Sequence, residues 1–160
     1  MTDPVIIDYD PCKQPVFWYV VFTAATNNLM PWWVRWWIRR DIYKHVYAFR
    51  DYAGCTLTVN QLAQGLIVDA SPVPAPDCAR MLGQEGRESV VLFAGQLKYR
   101  YTQRGVQSCV SVVKSLLGLK AWHVWTPQQL YRHLIEHKGV VLWEAKAAKP
   151  YNRAKPNAAP

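Results

Sequence analysis

The chain has 160 residues, of which 51% are hydrophobic, 13% aromatic and 19% charged, with eight tryptophans and a formal net charge of +8. A single domain of this length buries roughly two-thirds of its unfolded surface, and so apolar a composition excludes an intrinsically disordered chain. No apolar run reaches the roughly 20 residues of a membrane helix; the greasiest, from Leu29 to Ile38, carries Pro31 and Arg35.

The first residues lack the basic region and small-residue cleavage pattern of a secretory signal, so a cytosolic start is expected. Cys12, Cys55, Cys78 and Cys109 are widely spaced, with no C-x-x-C. Reduced thiols are expected, and neither a metal site nor a cofactor. The charge is uneven, since Lys146, Lys149, Arg153 and Lys155 lie in residues 145–160 with no acid among them. The expectation is one folded domain over 1–144 and a flexible basic tail over 145–160. Nucleic acid bound through such a tail would be held weakly and in a salt-dependent way.

Along the chain, the prolines at 4, 11 and 15 predict an irregular lead-in. Val16 to Thr23 is aromatic and β-branched throughout, the composition of a buried strand. Ala24 to Met30 reads as a loop. Pro31 to Arg40 reads as a short helix or turn with Trp33, Trp36 and Trp37 on one face, interleaved with Arg35, Arg39 and Arg40. That cluster reads as core packing with partial exposure, suited to a lipid interface or a protein contact.

Two strands follow, Tyr43 to Arg50 and Cys55 to Asn60. A turn centred between Tyr52 and Ala53 predicts a register that pairs Arg50 with Cys55, and therefore His45 with Asn60. Gly65 to Ala70 predicts another strand, and Ser71 to Pro76 an extended connector. Asp77 suits the N-cap of a short helix reaching Gln84. Glu88 to Phe93 and Leu97 to Tyr101 predict further strands.

Ser108 suits the N-cap of a helix over Cys109, Val110, Val113, Leu116 and Leu117, with Gly118 as its stop. Thr126-Pro127-Gln128-Gln129 opens a second helix, with a capping Thr, Pro at N1 and Gln at N3. Gly139 to Trp143 closes as a last strand. The chain has no internal repeat.

Cys109 is the chemically distinctive residue. A helix N-terminus presents unpaired N–H groups that lower a thiol's pKa and can receive a developing oxyanion. Acyl transfer by a thiol also needs a base, for which His45 is the candidate, and a group fixing that base's tautomer, for which Asn60 is the candidate. Each has an ordinary structural reading as well: a small apolar core residue, a satisfied strand histidine and a turn former. His133 and His137 fall one turn apart near Glu136, as on a solvated face, with no third ligand close in sequence.

The stretches KHVYAFRDYAGCTLTVNQLAQGLIVD and SCVSVVKSLLGL with TPQQLYRHL resemble small phage and prophage proteins related to the permuted NlpC/P60 papain-like cysteine peptidases. In that branch a strand histidine comes first, a polar orienting residue lies on the next strand, and a helix-start cysteine comes last; His45, Asn60 and Cys109 follow this order. The resemblance covers about half of the chain and lacks a second histidine or acid after His45. It implies an α+β papain-like domain, circularly permuted, with an antiparallel sheet packed against the cysteine-bearing helix. It also implies a thiol hydrolase, a cysteine peptidase, amidase or acyltransferase, acting on a peptide or amide such as a cell-wall peptide. The alternative is a non-catalytic virion or assembly protein docking phage structural proteins through the tryptophan surface and basic tail. The location implied is the host cytoplasm or the virion.

Overall fold

The computed structural model describes residues 15–24, 36, 39, 41–96 and 108–145. The expected strand over Leu97 to Tyr101, most of the tryptophan-rich segment and the basic tail lie outside these residues. Within them the chain is α+β. The strands are β1 (Pro15–Thr23), β2 (His45–Tyr52), β3 (Cys55–Leu62), β4 (Gly65–Ser71), β5 (Glu88–Gln96) and β6 (Val140–Trp143). The helices are α1 (Ala75–Glu85), α2 (Cys109–Leu116) and α3 (Pro127–Glu136).

The strands form one sheet in the order β4-β3-β2-β1-β5-β6, with every pairing antiparallel. β1 lies inside the sheet, and residues of alternating direction on it enter different cores. Trp18, Val20 and Phe22 pack with Val110 and Val113 of α2 and Leu130 and Leu134 of α3. Val21, with Phe49 and Val90, packs against Ala75 and Ala79 of α1. Helices therefore cover both faces, which is why β1 reads as a continuous apolar run rather than an alternating one. Each large apolar side chain fully buried here contributes about 1.5–3 kcal/mol. At the sheet edge, Leu66, Ile67 and Val68 of β4 remain exposed.

The helix signals of the sequence are local, and the structure carries them. Ser108 and Ser111 form a reciprocal capping box at the start of α2, and Thr126 and Gln129 do the same for α3. Gly118, at φ 69°, ends α2 in the left-handed region. Asp77 is not a cap. α1 starts earlier, at Ala75 after Pro74 with a proline in its first turn, and Asp77 pairs instead with Arg80 at 3.0 Å.

The β2–β3 register differs from the sequence expectation by two residues. Ala53 and Gly54, at φ 52° and 81°, form a two-residue turn that sets Tyr52 opposite Cys55 and Arg50 opposite Leu57. A shift of two preserves which side chains share a face, whereas a shift of one would reverse them all.

Candidate active site

His45 begins β2, paired with Thr23 of β1. The β2–β3 ladder runs from Tyr52↔Cys55 to Ala48↔Val59; continued, it would set His45 opposite Leu62. Asn60 is then the diagonal neighbour on the same face, still within side-chain reach. The imidazole Nε2 and the Asn60 Oδ1 are 2.8 Å apart. Because an amide oxygen only accepts, Nε2 carries the proton and Nδ1 keeps its lone pair. Burial pushes the His45 pKa down, partly offset by the bond to Asn60, so the ring is neutral at pH 7.

Cys109 begins α2, whose Val110 and Val113 anchor it in the main core. Burial raises its thiol pKa. Opposing that rise, the backbone N–H groups of Val46, Val110 and Cys109 itself favour the thiolate. Two of these donors belong to the helix start, and the third belongs to the residue that follows His45.

The structure thus joins His45 to Asn60 and brings the Cys109 sulfur to the backbone beside them. It does not join the sulfur to the imidazole, since no hydrogen bond links the two among the described residues. Strand alternation supplies the reason. Val46 and Ala48 face α2 and α3, while His45 shares a face with Tyr47 and Phe49, over which α1 lies. As they rest, the thiol and the tautomerically fixed imidazole are both neutral and leave opposite faces of the sheet, with no preformed ion pair between them.

Two neighbours escaped sequence reasoning. The Tyr47 ring lies along that of His45, with centroids 6.3 Å apart, and its hydroxyl donates to Glu88 Oε2 at 3.1 Å. Burial raises the pKa of both Tyr47 and Glu88. The alternation of His45 and Tyr47 along one strand was available as a signal. The approach of Glu88 was not, because it requires Thr23 to pair with both His45 and Glu88 across β1.

Cys55 is exposed beside the β2–β3 turn, and Cys78 sits on α1 near Thr56. Among the described residues no three His, Cys, Asp or Glu side chains are arranged to hold a metal ion. No helix among them is long and apolar enough to cross a membrane. Comparison with known proteins finds no matching family, no matching curated protein and no matching solved structure.

Proposed function

We propose that the chain is a thiol-dependent hydrolase of the permuted papain-like kind, cleaving or transferring at an amide or ester carbonyl. The observation that carries this reading is the 2.8 Å bond from His45 to Asn60, which leaves Nδ1 as a base one residue from the backbone N–H that reaches the Cys109 sulfur. A neutral imidazole is the form a general base needs.

In the proposed reaction, substrate binding moves the start of β2 so that His45 comes round to the face of Cys109 and Nδ1 meets the thiol; side-chain rotation alone does not do this, because at rest the two leave opposite faces of the sheet. Nδ1 takes the thiol proton as sulfur bonds to the carbonyl carbon. The oxyanion is received by the N–H groups at the start of α2. Collapse breaks the bond to the amine or alcohol, which leaves with the proton from Nδ1, and water or a second amine then releases the acyl group from sulfur. The phage resemblance suggests a cell-wall peptide or a phage structural precursor as substrate, encountered in the host cytoplasm or in the virion.

The test is acylation by an activated ester, followed by intact-mass measurement and peptide mapping. One acyl group on Cys109 is expected, abolished by Cys109→Ala and slowed about 10²-fold or more by His45→Ala. Acylation spread equally over the cysteines and indifferent to His45→Ala would sink the reading. The second reading, a docking scaffold without catalysis, draws on the raised thiol pKa and on the lack of a sulfur–imidazole bond; it would then stand.

A further inference from the structure

Three of the four histidines of the chain gather away from the Cys109 region. His133 lies on the last turn of α3, His137 is its C-terminal cap, and His123 arrives from the segment before the helix. The rings of His133 and His137 are 4.0 Å apart at their centroids, and those of His123 and His133 are 5.7 Å apart. Beside His123 and His133, but not bordered by His137, opens a cavity of about 220 Å³ lined by His123, Val124, Gln129, Arg132, His133 and Glu136.

We propose that His133 and His137 form a two-histidine clamp for a borderline divalent transition metal of the zinc, nickel or copper class, with the remaining coordination positions open to solvent. Imidazole nitrogens suit these ions, and histidines one helical turn apart present their nitrogens to a common point.

The second sphere is in place for one ligand. His137 Nδ1 lies 2.8 Å from the His133 carbonyl oxygen, so Nδ1–H donates to it and Nε2 is left with its lone pair outward. That carbonyl contact is the usual partner of a metal-binding imidazole, and it fixes both tautomer and ring orientation. Two imidazoles bound to one ion at about 2.0–2.1 Å place their ring centres about 4.5–5 Å apart, against 4.0 Å with the planes 32° apart here, so the rings must both part and turn for their nitrogens to share an ion.

Among the described residues no third His, Cys, Asp or Glu joins the pair in an arrangement that could hold a metal ion, so the clamp is bidentate. His123 stands across the cavity as the nearest further imidazole, and the open positions take water or an external ligand.

The test is calorimetric titration of the tag-free chain with nickel(II) at neutral pH, comparing wild type with His137→Ala and His45→Ala. His137 is exposed, so its replacement leaves the core intact, and an unchanged melting curve without metal verifies this. One nickel ion per chain is expected, with affinity lowered roughly tenfold or more in His137→Ala, since loss of outer-sphere partners alone costs 10–100-fold. The His45→Ala variant is expected to bind like wild type. Wild type without saturable binding, His137→Ala binding as tightly as wild type, or a loss confined to His45→Ala would each overturn the clamp.

Discussion

His45 Nε2 and Asn60 Oδ1 meet at 2.8 Å across the β2–β3 hairpin, although the register of that hairpin does not set the two residues opposite each other. The bond is a diagonal one between side chains on the same sheet face, and it defines which imidazole nitrogen can accept a proton. Asn60→Ala leaves the ring free to take the other tautomer. We expect that substitution to slow acylation of Cys109 by an activated ester by about 10-fold or more, with less effect than His45→Ala. Stopped-flow measurement of the acylation rate in the two variants checks the order; equal rates in Asn60→Ala and wild type would leave Asn60 without an orienting role.

The lowered pKa of His45 has a consequence for stability. An unfolded histidine titrates near 6.5, above the folded value, so as pH falls the unfolded chain takes up the proton first. The contribution of the neutral, buried ring is therefore complete above about pH 6.5 and is lost as pH falls from there through the folded pKa. His133 is shifted in the same direction and acts in the same window, so the two must be separated. Urea unfolding of wild type and His45→Gln between pH 5 and 8 does this: the stability difference between them is expected to move against wild type as the pH falls below 6.5. The acid limb of the acylation rate should lie below 6.5 for the same reason.

What the sequence made legible is what short-range chemistry decides. The caps Ser108 and Thr126 and the stop at Gly118 need only their own neighbours, and each is where the residues place it. The face shared by His45 and Asn60 was legible too, because strand alternation survives an even register shift. The register itself was not, since Ala53 adopts a left-handed conformation that a non-glycine residue seldom takes, and this moves the turn by one residue. The contact of Tyr47 with Glu88 and the grouping of His123 with His133 depend on pairings across the fold that no local pattern encodes.

The same turn offers a gain. Ala53 sits at φ 52° and is followed by Gly54 at φ 81°, the backbone of a turn for which Asn-Gly is the favoured pair. Asparagine tolerates that conformation better than alanine, so Ala53→Asn is expected to stabilise the fold by about 0.5 kcal/mol. Gly54→Ala is expected to cost about 1 kcal/mol, since a Cβ there meets no neighbouring atom and only the backbone conformation is strained. Paired urea curves at one pH give both signs.

Gly83 of α1 lies beneath the indole of Trp143, which borders the sheet on β6, and a Cβ added to the glycine would fall inside that ring. Trp143 packs against the α1-side core, so the indole cannot move aside without opening the contact between helix and sheet. Gly83→Ala is therefore expected to destabilise by about 1–3 kcal/mol, despite alanine's better helix propensity. A double-mutant cycle separates the two effects. With Trp143→Ala in the background the clash is gone, and Gly83→Ala is expected to cost nothing or to stabilise by up to about 1 kcal/mol. An equal cost in both backgrounds would mean that the close approach to Trp143 is not what requires glycine at this position.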